Sequence, residues 1–297
     1  MNNQNATYIN QCIELMLARL CNKDLCPIDL DIDFNPLRGD IEVIDDDCEA
    51  TGFNSDFTLI KDIFSCEGGG YCNKNITKND IMRQLVLIDS LYSTNIKRMR
   101  VFALEEICDE IWNLCDAGNG CHTLGTLTSK INATQNLHPS LLKLFTNSYG
   151  YIQGAQAGTA PSLISKYLFF ATVACPTDQW GVPIYDSIAK TIMRKLQKFL
   201  GIPVTSLTSS KSNINLYIAG LKSIIDTLVN NNPKLWSNLP ILKFHLLDYF
   251  LWHVGKAGSE SYSLLLTKNE VQNCYSNGKI VKLPKRIVYW QSVYKKL

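Results

Sequence analysis

From residue 80 onward the chain is a succession of segments whose apolar residues recur every three or four positions, bounded by prolines, glycines or capping side chains. That period places the apolar residues on one face of a helix and leaves few other ways to bury them. Ile81, Leu85, Ile88 and Leu91 mark the first such segment, with Asn79-Asp80 as its cap. Val101, Leu104, Ile107, Ile111 and Leu114 mark a helix over 98–115, closed by Asp116-Ala117-Gly118-Asn119-Gly120. Pro139 opens a third, with Leu141, Leu144 and Phe145 on its apolar side, and Pro161 opens a fourth. Asp186 opens the next, which runs to about Leu200 and stops at Gly201-Ile202-Pro203. Further helices are expected over 212–230 and 240–256, with Pro240 in the first turn of the second. The tail, 278–297, reads as a strand pair or an amphipathic helix. The fold class that follows is mainly α, with two packed helical lobes and a loop-rich N-terminal region.

That region has a different texture. Ile9, Ile13, Leu17 and Leu20 indicate a helix over 8–21, but residues 22–80 are rich in Asp, Gly, Asn and Cys and include Glu67-Gly68-Gly69-Gly70. Ile41-Glu42-Val43-Ile44 reads as a short strand. The expected division is an acidic, loop-rich region over 1–80 and a helical domain over 81–297. Charge follows the same asymmetry: residues 1–60 hold 12 acids and 3 bases, residues 194–297 hold 15 bases and 4 acids, and the net charge is only +2. A basic carboxy-terminal segment suits a polyanionic partner, and equally suits attraction between the two ends of the chain.

At 297 residues, 46% hydrophobic and 19% charged, the chain can bury a full core. No apolar run is long enough for a membrane span, and Met1-Asn2-Asn3-Gln4-Asn5 lacks a basic leader, so a cytoplasmic protein without membrane partners is expected. The 11 cysteines are then expected to be mostly reduced, and their odd number suits free thiols better than a closed disulfide set. Cys12, Cys21 and Cys108 fall on apolar helical faces and read as buried thiols. Cys66-x5-Cys72 and Cys115-x5-Cys121-His122 carry zinc-ligand residue types at spacings wider than the usual gap, so no metal is expected. His245 and His253 read as packed histidines. There is no phosphate-binding glycine motif, no serine-nucleophile elbow and no carboxy-terminal four-cysteine cluster, and no cofactor is expected.

The residues with chemical potential lie on the fourth and fifth of these helices. Lys166 lies early in the helix opened by Gly158-Thr159-Ala160-Pro161, and Asp186 follows 20 residues later, after Val182-Pro183-Ile184-Tyr185. A lysine on a buried helix loses its charge readily and becomes an amine nucleophile. A carboxylate at a helix start is favoured by the helix dipole and stabilises positive charge developing nearby. Spacing alone equally allows a plain N-cap and a surface lysine. The text around the pair adds a resemblance. Leu91-Tyr92-Ser93-Thr94-Asn95-Ile96, Ser165-Lys166-Tyr167, Pro183-Ile184-Tyr185-Asp186-Ser187 and the segment from Leu247 to Lys256 occur in this order over residues 85–256. Together they resemble the helix-hairpin-helix DNA glycosylases, in particular a bacterial family with an 8-oxoguanine DNA glycosylase-like fold.

The resemblance implies a monomer that binds DNA, flips out a modified base and excises it. Lys166 would be the nucleophile and Asp186 the carboxylate facing the developing charge. It also implies possible strand cleavage through a Schiff base, and a role in defence against foreign DNA. The chain departs from the family pattern in two places: Ala157-Gly158-Thr159-Ala160-Pro161 replaces the glycine-rich hairpin, and residues around Cys175-Pro176-Thr177-Asp178-Gln179-Trp180 lengthen the link from lysine to aspartate. Asp248, Trp252 and Lys256 share one helix face, opposite Leu247, Phe250, Leu251 and Val254. On that face Trp252 is read as a stacking surface for the flipped base, Asp248 as a reader of its edge and Lys256 as a phosphate contact. Tyr92, Asn95 and Ser165 complete the candidate substrate contacts. The same three residues of the face also suit a core tryptophan flanked by solvated charges. The alternative functions are a non-catalytic nucleic-acid-binding protein of the same fold and an interaction scaffold built on the acidic N-terminal segment.

Overall fold

The computed structural model describes residues 3–20, 59–60, 62–64, 71–91, 96, 100–118, 120–131, 137–151, 158–207, 213–237, 239, 241–259, 265–266, 275–276, 279–280 and 283–297. Regular structure among them is almost wholly helical: α1 (Asn3–Leu20), α2 (Lys78–Leu91), α3 (Ala103–Cys115), α4 (Leu124–Thr128), α5 (Pro139–Thr146) and α6 (Pro161–Ala174) come first. They are followed by α7 (Ser187–Leu200), α8 (Ile214–Asn231), α9 (Pro233–Ser237), α10 (Lys243–Gly258) and α11 (Lys285–Lys296). Two short strands, β1 (Tyr275–Ser276) and β2 (Lys279–Ile280), pair antiparallel before α11, so the tail holds both a strand pair and a helix. Among the described residues, no helix is long and apolar enough to cross a membrane.

Local chemistry explains most of the helix ends. Thr77 and Asp80 form a reciprocal cap, Asp80 Oδ2 accepting the Thr77 N–H at 2.9 Å and Thr77 Oγ1 accepting the Asp80 N–H at 3.2 Å. α2 therefore starts at Lys78, and the cap lies two residues before the expected Asn79-Asp80. α3 starts at Ala103 rather than near 98, because Phe102 takes a left-handed φ of 62° that no helical run accommodates. Pro139 and Pro161 stand in the first turns of α5 and α6, as expected. Gly201, at φ 68°, closes α7 by turning two N–H groups back onto Gln197 and Lys198. α10 begins at Lys243, and Pro240 lies outside the described residues, as do Ile41–Ile44.

The helices pack in two groups. In the first, α2 lies on α3 and α6, α3 carries α4 and α5, and both of these reach α6. In the second, α7, α8 and α10 pack on one another, with α11 on α10 and α9 on α8. α1 joins the second group, lying on α8, α7 and α10. Asn10 fastens it there: its Nδ2 donates to Leu228 O at 3.0 Å, and its Oδ1 accepts from Trp236 Nε1 at 2.9 Å. The first helix thus packs with the carboxy-terminal half of the chain. α10 comes close to both neighbours, since Gly255 faces Ile188 of α7 and Gly258 faces Tyr294 of α11 with no room for a Cβ. One continuous apolar core runs through both groups. α6 sits deepest: Leu163 through Thr172 are all buried, as expected of a helix apolar on every side.

Cys72, just before α2, is disulfide-bonded to Cys175, the C-cap residue of α6, across 103 positions of sequence. The crosslink is an exception to the expectation of mostly reduced cysteines, since Cys12, Cys108, Cys115 and Cys121 are free, and it removes Cys72 from the zinc reading; its sequence partner Cys66 lies outside the described residues, as does Cys21. Cys12, Cys108 and Cys115 are buried free thiols, with burial pushing them up to about 11, 11 and 12. Among the described residues no three potential ligands gather into a metal site. Closing a loop of this length removes entropy from the unfolded chain, so Cys175→Ser is expected to lower the unfolding free energy by about 2–5 kcal/mol. Urea unfolding with and without reductant measures this. Reductant should destabilise the wild type and leave the variant unchanged; equal stability of the oxidised wild type and the variant would count against the crosslink.

Candidate active site

The connection from α6 to α7 determines what stands beside Lys166. It begins with a turn in which Asp178 Oδ1 accepts the N–H of Trp180 at 2.7 Å and of Gly181 at 3.2 Å. Gly181 has a φ of 72° and lies so close to the His245 ring that a side chain would not fit. The turn docks on the start of α10, where Lys243 N–H donates to Gln179 O at 2.8 Å and Phe244 N–H to Trp180 O at 3.0 Å. His245 packs between this turn and α6, its ring 3.8 Å from that of Phe169 and its Nε2 3.1 Å from Thr172 Oγ1. It is the packed histidine expected, and burial pulls its pKa down to about 3. His253 is also engaged, its Nδ1 2.8 Å from Tyr249 O.

The connection ends in a stretch of backbone held from three helices. Asp248 Oδ2 on α10 accepts the Ile184 N–H at 2.6 Å, and Tyr217 OH on α8 donates to the Ile184 carbonyl at 2.9 Å. Ser165 Oγ on α6 accepts the Tyr185 N–H at 2.9 Å while donating to Ser162 O at 3.1 Å. Asp186 follows directly and caps α7, its Oδ1 accepting the Ala189 N–H at 2.7 Å. The carboxylate thus stands at the positive end of the α7 dipole.

Lys166 is only 6% exposed, and its Nζ donates to Ser162 Oγ at 3.1 Å. Burial lowers its pKa from the ordinary 10.5; Asp186 acts in the opposite direction, Lys256 lowers it further and Asp89 raises it. Asp89 is itself buried, with Oδ1 accepting the Ile96 N–H at 2.7 Å. Lys256 and Trp252 are half-buried on α10, with Lys256 Nζ 5.7 Å from the centroid of the Trp252 ring. The charges of Asp186 and Lys256 thus both act on Lys166, and Trp252 lies beside Lys256.

Two expected substrate contacts have a different place. Ser165 is fully buried and Asp248 is 5% exposed, and both are bonded to the backbone of the α6–α7 connection. The face shared by Asp248, Trp252 and Lys256 is thus not a uniform one: the fold covers its first residue and leaves the other two half-exposed. Tyr92 and Asn95 lie outside the described residues.

Sequence reading missed the residues that organise the approach to α6. Arg100 Nη1 donates to the Gly158 carbonyl and, at 3.1 Å, to the Thr159 carbonyl, just before α6 begins. Glu106 Oε2 accepts the Gly150 N–H at 2.7 Å, while Glu110 accepts from Asn147 Nδ2 at 2.6 Å and from Tyr149 OH at 3.1 Å. Bridges from Val101 to Tyr151 and from Tyr149 to Gly158 complete the arrangement. Above it stand Val101, Phe102 and Tyr151, at 58%, 60% and 66% exposure. The one hint in sequence was the four-residue spacing of Glu106 and Glu110 on one helical face, a pattern that solvated faces share.

The arrangement offers a desolvated amine beside a helix-capping carboxylate, which suits nucleophilic attack on a centre that gains positive charge. Comparison with protein-family models, with curated proteins and with solved structures found no match.

His245 provides a test of the packing around this connection. Its folded pKa of about 3 lies below the 6.5 of the unfolded chain, so the unfolded state takes up the proton first and stability falls as pH drops below 6.5. Between pH 7 and pH 5 the loss from this group is expected to be about 2 kcal/mol, at about 1.4 kcal/mol per pH unit. Urea unfolding of wild type and His245→Phe at both pH values should show that loss reduced in the variant by this amount. An identical loss in both proteins would contradict the buried neutral imidazole.

Proposed function

We propose that this protein is a DNA glycosylase of the helix-hairpin-helix kind that excises a modified base. The observation that carries the reading is the burial of Lys166 beside Asp186. A lysine kept for solubility leaves its ammonium in water, whereas this one is desolvated, and desolvation favours the neutral amine. The neutral amine attacks C1′ of the nucleotide, the C–N bond to the base breaks, and the bonding pair leaves with the base, which takes up a proton. Asp186 stabilises the positive charge that develops on the sugar, as carboxylates do in glycoside hydrolysis. Loss of the second amine proton and opening of the sugar ring give a Schiff base, and β-elimination from it cleaves the strand.

The remaining residues fit the needs of a protein that handles an extruded base. Trp252 offers an aromatic surface next to Lys256. Phe102 and Tyr151 are exposed aromatic side chains on an anchored tip, suited to entering a base stack. The mainly helical fold and the ordered sequence resemblance over 85–256 support the same reading. DNA as partner, action as a monomer and defence against foreign DNA belong to this proposal.

Borohydride trapping on duplexes carrying 8-oxoguanine, uracil or an abasic site tests it. Wild type should form a covalent adduct and Lys166→Gln none, while Asp186→Asn should slow base release by about a hundredfold or more. Salt-dependent DNA binding by a wild type that forms no adduct and releases no base would favour the non-catalytic alternative.

A further inference from the structure

The proposed reaction has no use for the carboxyl group of Asp248, yet the fold buries it close to the reacting groups. The residue is 5% exposed, its Oδ2 takes the Ile184 N–H at 2.6 Å, and its Oδ1 is buried with no hydrogen-bond partner. Burying an acid to hold one amide is an expensive use of a charged residue, and a buried polar atom left unpaired calls for an explanation.

What Asp248 Oδ2 holds gives a reason for burying the group. The Ile184 residue lies two positions before Asp186 and is gripped at both ends, its N–H by Asp248 and its carbonyl by Tyr217 OH at 2.9 Å. The next N–H, of Tyr185, goes to Ser165, the neighbour of Lys166. Three successive backbone groups ahead of Asp186 are thus fixed by α10, α8 and α6. Ser165 ties the loop to the lysine helix, and Asp248 and Tyr217 keep it from rotating about that tie.

We propose that Asp248 is a positioning residue, which sets Asp186 against Lys166 through the Ile184 backbone. The inference rests on the glycosylase reading of the site.

The protonation state follows from the surroundings. Burial pushes the Asp248 carboxyl well above the usual carboxylate range, the Ile184 N–H acts against this, and the neighbouring Asp186 charge pushes it further up. The titratable groups recorded around it are Asp186 at the start of α7 and Tyr217 on α8. Burial is the largest of these influences, and the N–H that opposes it is a single hydrogen bond. Asp248 thus keeps its proton to higher pH than an ordinary aspartate, and in that neutral form its carbonyl oxygen accepts the Ile184 N–H. Asparagine is the close isostere of that neutral acid and leucine is not.

The test is single-turnover borohydride trapping of the full chain on abasic-site duplex, with DNA affinity measured separately. Asp248→Leu is expected to slow adduct formation about a hundredfold with the Kd for DNA within about threefold of wild type. Asp248→Asn is expected to restore the rate to within about tenfold of wild type. Tyr217→Phe, which loosens the same residue from its other end, should slow the reaction about tenfold and serves if the leucine variant does not fold. A leucine or phenylalanine variant as fast as wild type overturns the inference, as does an asparagine variant as slow as leucine, since a charged carboxylate would then be acting in its own right. A wild type that forms no adduct and releases no base overturns the reading of the site itself, an outcome distinguishable from the other two.

Discussion

The hydrogen bond from the Tyr185 N–H to Ser165 Oγ is the contact on which the candidate site depends. Its donor is one residue from Asp186 and its acceptor is one residue from Lys166, so a single bond makes neighbours of two side chains 20 positions apart. The same serine donates to Ser162 O, and the lysine donates to Ser162 Oγ, which ties the loop, the helix turn and the amine into one unit. Each neutral bond contributes about 0.5–1.5 kcal/mol, enough together to hold a loop. It is not enough to offset the several kcal/mol that hiding an ammonium costs. Burial therefore makes Lys166 give up its proton more readily than an ordinary lysine.

The charges around that amine oppose one another. Asp186 and Asp89 favour its protonation and Lys256 disfavours it, while burial is the largest single influence and, with Lys256, sets the direction. This balance differs from that of an ion pair, where the partner charge dominates and the lysine stays protonated. It also assigns α10 two tasks. Lys256, with Trp252 beside it, acts on the amine from one end of the helix, and Asp248, two turns before Lys256, is withdrawn into the fold to hold the backbone that carries Asp186.

Features read correctly from sequence were those with a local cause. Pro139, Pro161 and Gly201 end or begin helices through their own backbone chemistry, and Asp186 caps α7 through a bond three residues long. The start of α3 was misplaced because Phe102 adopts a left-handed conformation that its residue type does not announce. Contacts between distant positions left no trace. Cys72 and Cys175 are 103 residues apart, Arg100 reaches the Gly158 carbonyl across 58 positions, and α1 packs against α8 from the opposite end of the chain. Asp248 shows the limit most plainly: helical spacing placed it on the face of Trp252 and Lys256, but only the fold of the α6–α7 connection determines that this part of the face is covered.

The central claim is that Lys166 is a neutral amine in the folded protein at lower pH than an ordinary lysine. Its titration can be followed directly by nuclear magnetic resonance on protein labelled at the lysine Cε, with the signal assigned by its absence in Lys166→Gln. The account predicts that this resonance titrates below 10.5, apart from the exposed lysines. A Lys166 resonance that titrates at or above 10.5 would contradict it, because the side chain would then be a buried cation held by Asp186 and Asp89 rather than a nucleophile.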